Sequence, residues 1–119
     1  MTDRLELIRG AIREIPDFPK PGILFFDITT MLAKAEAFKA TVDLLVERYK
    51  DAALDHVVAI ESRGFIFGAP LALALGLPLN ILRKPGKLPA ETDEVSYDLE
   101  YGSATLQIHR GELRQGGKA

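Results

Sequence analysis

The chain has 119 residues, 47% of them apolar and 27% charged, a globular composition that excludes disordered and repeat classes. Fifteen basic against 17 acidic residues give a net charge of −2, which argues against a general nucleic-acid or membrane-surface binder. The absence of cysteine excludes a disulfide scaffold and thiolate metal sites and is compatible with the cytoplasm.

The opening MTDRLELIRG lacks the apolar core of a signal peptide. The longest apolar stretch, Gly64 to Leu79, is broken by glycine and proline and is shorter than the ~20 residues a membrane-spanning helix needs. Leu5, Ile8, Ile12 and Ile15 recur at helical spacing, so Thr2 to Ile15 is expected to be an amphipathic helix capped by Thr2 or Asp3. Pro16, Pro19 and Pro21 stop it and favour an extended loop. Ile23 to Phe26 is a strand or a buried loop. Glu36 to Lys50 reads as a second helix with Phe38, Val42, Leu45 and Tyr49 on one stripe.

The run His56 to Ile60 is β-branched and apolar, typical of a strand buried on both faces. Gly64 to Leu75 is an almost wholly apolar helix, expected to be buried and to end at Gly76. Leu79 to Leu82 is the next strand, and strand, helix and strand make a parallel βαβ unit. Arg83 to Pro89 is a basic loop. Glu94 to Leu99 and Thr105 to Ile108 alternate apolar and polar residues, as an antiparallel hairpin does. Gly111 to Ala119 is polar and adds no closing element.

Four segments could carry chemistry. At Glu61-Ser62-Arg63-Gly64 a parallel strand gives way to a helix, where free backbone N–H groups and the positive dipole end suit a phosphate. Ser62 can cap, Arg63 can grip phosphate oxygens, and Gly64 lets the backbone approach. An ordinary capped helix with a solvated arginine is the plain alternative. Arg83, Lys84 and Lys87 follow the neighbouring strand and bring more positive charge to the same sheet edge, unless they form a merely solvated turn. On the proline-rich loop an aromatic ring could stack a flat heterocycle while adjacent backbone reads its edge; alternatively Phe25 and Phe26 are core. Glu100 at the hairpin tip could act as an acid or base, against the simpler reading of a solvated turn residue. No His, Asp and Glu group has metal-ligand spacing, and Ser62 has no histidine partner for a nucleophilic triad.

FPKPGILFFDIT (Phe18 to Thr29), ESRGFIFGAPLA (Glu61 to Ala72), RKPGKLP (Arg83 to Pro89) and YDLEYG (Tyr97 to Gly102), in this order, resemble the adenine phosphoribosyltransferases of the type I phosphoribosyltransferase family. The resemblance implies an α/β fold: a Rossmann-like parallel sheet with flanking helices and a β-hairpin flap, here one domain over residues 1–119. It implies a phosphoribosyl transfer from phosphoribosyl pyrophosphate to adenine, giving AMP and pyrophosphate in purine salvage. Leu24 (through its backbone) and Phe25 would bind adenine. Glu61, Ser62, Arg63, Gly64, Arg83, Lys84 and Lys87 would bind pyrophosphate, with the Glu61–Ser62 peptide a candidate for the cis form. Glu100 would assist proton transfer and Tyr101 would help close the hairpin. Mg2+ would come mainly with the substrate pyrophosphate, with no metal site on the protein. A cytoplasmic homodimer binding neither nucleic acid nor membrane is expected.

Two features depart from the family pattern. Phe26 stands where many relatives carry arginine. The ribose-phosphate motif, two aspartates followed by Ala-Thr-Gly-Gly-Thr, does not occur in the 119 residues. The expectation is therefore a C-terminally incomplete domain, with a non-catalytic binding module or an inactive fragment as the alternative.

Overall fold

The computed structural model describes residues 3–99 and 102–119. Two compact units divide the chain, Met1–Glu47 and Arg48–Ala119. The first begins with helix α1, Arg4–Ala11, whose N-terminus is capped by the Asp3 carboxylate accepting from the Leu5 N–H at 3.0 Å. Thr2, the other expected cap, lies outside the described residues. The helix does not continue to Ile15. Ile12 turns extended at φ −82° and ψ 131°, and Arg13–Pro16 forms strand β1. Pro16 disfavours helical backbone at Ile15, and strand pairing takes over from the helical periodicity.

Strand β1 pairs antiparallel with β2, Leu24–Asp27, in the register Ile15↔Phe25 and Pro16↔Leu24. The intervening loop closes on itself. Phe18 N–H donates to the Ile23 carbonyl at 3.1 Å, and Gly22 N–H donates to the Asp17 carboxylate at 2.9 Å. Gly22 has φ 88°, a conformation that a residue with a side chain adopts only under strain. The Phe18–Pro19 peptide is cis.

A short helix α2, Thr29–Leu32, and the long helix α3, Ala35–Tyr49, complete this half of the fold. The buried positions of α3 are Ala37 and Ala40, while Phe38, Val42 and Leu45 of the expected stripe are half-buried and Tyr49 is exposed. Small residues allow close backbone approach, which a reading weighted towards large apolar side chains overlooks. Met31 is buried under α3 and accepts from the Thr41 hydroxyl at 3.6 Å.

In the second unit, β3 (Val57–Ile60) and β4 (Leu79–Leu82) pair parallel, joined by α4 (Arg63–Leu75). Gly76 ends α4 in the left-handed conformation at φ 67°, as its sequence position predicts. Gly68 lets α4 lie directly on the sheet: a Cβ there would sit 2.7 Å from the Ala59 Cβ. Two burial expectations fail. Only Gly68 and Ala72 of α4 are buried, with Leu73 84% exposed, and Ile60 of β3 is 48% exposed. With two parallel strands, the sheet covers one side of α4 and leaves the other open.

Strands β5 (Thr92–Leu99) and β6 (Gly102–His109) form the hairpin, paired from Thr92↔His109 to Leu99↔Gly102. An antiparallel bridge between Arg83 and Gln107 ties β6 to the end of β4. The last residues are held down. The Lys118 carbonyl accepts from the N–H of Asp55 at 2.7 Å and of His56 at 3.2 Å. The Arg114 N–H donates to His56 Nε2 at 3.0 Å, so His56 Nδ1–H faces Asn80 Oδ1 at 2.9 Å.

Candidate functional site

In the first unit the aromatic loop presents its rings to the outside. Phe18 and Phe25 meet edge to face, with centroids 5.1 Å apart and an interplanar angle of 67°. Strand alternation puts Phe25 on one face of the β1–β2 ribbon and Leu24 and Phe26 on the other. Phe26, opposite Glu14, is 54% exposed and Leu24 is 47% exposed, so this run is not the core that apolar composition suggests. Phe25 is half-buried and keeps a partly open ring.

The platform under these rings is fixed by Asp27, which sequence reading did not single out. One of its carboxylate oxygens accepts from the Thr29 N–H at 2.9 Å and the Thr29 hydroxyl at 2.7 Å; the other accepts from Arg13 Nε at 3.0 Å and from Arg13 Nη2. The Thr29 hydroxyl first, and then the Arg13 guanidinium, lower the Asp27 pKa from 3.8 to about 2. The spacing Asp-x-Thr before a short helix is the local signal for this arrangement.

In the second unit the C-terminal ends of β3 and β4 lie side by side, where ligands of open α/β sheets bind. The Glu61–Ser62 peptide is cis, and the Glu61 N–H donates to the Leu82 carbonyl at 2.9 Å. Ser62 occupies the N-cap position of α4, but its side chain makes no capping hydrogen bond, contrary to expectation. No acidic residue lies in the first turn of the 13-residue helix. Its N-terminus therefore keeps unfilled backbone donors and its positive dipole end. Arg63 and Gly64 sit there. Arg63 is exposed and has no ion-pair partner among the described residues.

The cationic loop is more structured than its composition implies. Arg83 arrives at the sheet edge already paired, its Nε donating to the Glu61 carboxylate at 3.0 Å. The same carboxylate oxygen accepts from the Lys84 N–H at 3.2 Å. These contacts lower the Glu61 pKa, the Lys84 backbone hydrogen bond first. Glu61 thus holds the loop rather than presenting an acceptor to an anion. Lys84-Pro85-Gly86-Lys87 is a β-turn with Pro at its second position and Gly86 at φ 82° in its third, closed by Lys87 N–H to the Lys84 carbonyl at 3.4 Å. Lys87 is exposed and without an ion-pair partner among the described residues.

Glu61 and Lys84 also line a cleft of about 440 Å³ facing the hairpin residues Tyr97 and Ser103 to Leu106. Glu100 and Tyr101, the expected catalytic pair, lie outside the described residues; the flanking strands are paired up to Leu99 and Gly102. Among the described residues no group of three or more His, Asp or Glu side chains is placed to hold a metal. No described helix is long and apolar enough to cross a membrane.

The parallel βαβ unit followed by an antiparallel hairpin has the type I phosphoribosyltransferase fold. No model of a protein family matches the chain. Adenine phosphoribosyltransferase of Haemophilus influenzae is 56% identical over 116 residues, covering 98% of this chain and 64% of the relative. The crystal structure of adenine phosphoribosyltransferase from Thermoanaerobacter pseudethanolicus superposes with a TM-score of 0.89 at 50% identity, over 95% of this chain and 66% of that one. The enzyme from Saccharomyces cerevisiae, solved with an imino-altritol bisphosphate and adenine, gives 0.83 at 36% identity, over 92% and 65%. The chain is thus similar over nearly its whole length to adenine phosphoribosyltransferases, and spans about 64% of the length of the curated relatives it matches.

Proposed function

We propose that the two units form one phosphoribosyltransferase-like domain carrying the base-binding and pyrophosphate-binding parts of an adenine phosphoribosyltransferase site. The reaction is transfer of the phosphoribosyl group from phosphoribosyl pyrophosphate to adenine. The bond from the anomeric carbon to pyrophosphate breaks, a bond to adenine N9 forms, the N9 proton leaves, and AMP and pyrophosphate result. Phe25 offers a ring face to adenine, with the Leu24 backbone beside it. Arg63, with the N–H groups of Ser62 and Gly64, takes pyrophosphate oxygens, as do Lys84 and Lys87. Arg83 and Glu61 hold the loop that presents them. Glu100 takes up the proton and Tyr101 closes the hairpin. Magnesium would come with the substrate pyrophosphate rather than from a site on the protein, and would help neutralise the charge of the leaving group, in keeping with its preference for oxygen ligands.

The single observation that supports this most is the bare N-terminus of α4, with an unpaired arginine, beside a turn carrying Lys84 and Lys87, in a chain of net negative charge. The relatives' structures include one with adenine bound, which supports adenine as the base. We further propose that the protein works as a homodimer in the cytoplasm; sedimentation velocity reports the first point.

The test is incubation with adenine, phosphoribosyl pyrophosphate and magnesium, with AMP quantified by chromatography, alongside calorimetric titration of magnesium pyrophosphate and of adenine. AMP formation is expected to follow pyrophosphate and adenine binding. Binding without turnover would replace catalysis by the binding-module reading. No binding of either ligand would remove both readings.

A further inference from the structure

The turn Lys84 to Lys87 presents two lysines but has little to hold it. Its own closing hydrogen bond is long at 3.4 Å, and Pro85 has no N–H to contribute. External partners therefore decide its shape. On the strand side the Glu61 carboxylate accepts from Lys84 N–H. On the hairpin side the partner is Gln107, whose Oε1 accepts from Gly86 N–H at 3.2 Å.

Gln107 is itself fixed. Its backbone N–H donates to the Arg83 carbonyl at 2.7 Å, and its carbonyl accepts from Arg83 N–H at 2.8 Å. Its side-chain Nε2 donates to Glu94 Oε2 at 2.8 Å. Gly86 N–H can only donate and the Glu94 carboxylate can only accept, so the orientation of the amide follows from its partners. Gln107 thus binds the turn with a neutral acceptor. A carboxylate in its place would satisfy Gly86 equally but would oppose Glu94 and cancel part of the positive field of Lys84 and Lys87.

We propose that Gln107 is a positioning residue for anion binding, holding the Lys84–Lys87 turn from the hairpin so that both lysines face the helix N-terminus that carries Arg63. The inference rests on the pyrophosphate reading above and extends it to a residue that touches no substrate. It also links the hairpin to pyrophosphate: a change in hairpin position moves Gln107, and with it the turn.

The test compares wild type, Q107A, Q107E and the double variant Q107E/E94Q. Circular dichroism checks the fold, amide hydrogen exchange reads Gly86, and calorimetry with magnesium pyrophosphate reads affinity. Q107A is expected to lose protection at Gly86 and to weaken pyrophosphate about 3–10-fold, the range that one net hydrogen bond supports. Q107E is expected to weaken it as well, through repulsion by Glu94. Q107E/E94Q restores a donor–acceptor pair across the strands and is expected to recover Gly86 protection, whereas a general loss of hairpin stability would leave Gly86 unprotected. Wild type that binds pyrophosphate with the same affinity as Q107A, or Gly86 protection unchanged in Q107A, overturns the proposal alone. Wild type that binds no pyrophosphate overturns the functional reading, and the anion role of Gln107 with it.

Discussion

Asp27 accepts hydrogen bonds from both Arg13 and Thr29 and so joins β1, β2 and α2 beneath the exposed aromatic run. Its carboxyl ionises at about 2 in the folded chain against 3.8 ordinarily. A depressed folded pKa stabilises the fold fully above the ordinary value and loses that contribution as pH falls from about 4 through about 2. Asp27→Asn should therefore lower the thermal midpoint at pH 7, with the difference from wild type closing towards pH 2; melts across this range check it. Gly68 is a second residue whose role only packing reveals. Gly68→Ala should gain helix propensity yet destabilise the protein by about 1–3 kcal/mol, because the added methyl meets Ala59 Cβ at 2.7 Å. Urea denaturation measures the loss, and adding Ala59→Gly should recover most of it.

Elements differ in how much of them was legible. The β3–α4–β4 unit is read correctly from β-branched runs, the apolar helix and Gly76, because those signals are local. The end of α1 is not, because Ile12 and Ile15 satisfy helical spacing while Ile12 turns extended as the C-cap and the Ile15 backbone is taken by strand pairing across the loop. Asp3→Ala should cost about 1 kcal/mol through loss of the α1 cap, measurable by chemical denaturation. At the β3–α4 junction, Arg63→Ala should weaken magnesium pyrophosphate at least tenfold in calorimetry, since a charge-assisted contact at the helix N-terminus is lost. Adenine binding, proposed above for Phe25 and the Leu24 backbone, should be unchanged.

Across the second unit, the polar C-terminal residues are tied to Asp55 and His56, just before β3, and to Asn80 of β4 rather than trailing. His56, Asn80, Glu112 and the Arg114 N–H form a connected series, with Asn80 Nδ2 donating to Glu112 at 3.2 Å and Arg114 also paired with Asp55 at 2.9 Å. His56→Leu would leave the Arg114 N–H and Asn80 Oδ1 without partners, a destabilisation of about 1–3 kcal/mol. Limited trypsin digestion should then cleave faster after Arg114 than in wild type.

The sequence by itself did not determine β1 or α2, but it did determine the resemblance to the adenine phosphoribosyltransferases, the β3–α4–β4 unit and the hairpin. These rest on contiguous motifs whose residues act within a few positions of one another. Only the tertiary structure decided that Arg83 is neutralised by Glu61, that Ser62 leaves the helix N-terminus uncapped, and that Gln107 supports the cationic turn. Glu61 and Arg83 are 22 positions apart, and Gly86 and Gln107 are 21. Charge and spacing along a chain say which groups exist; which of them are already satisfied depends on strands and loops that meet only after folding.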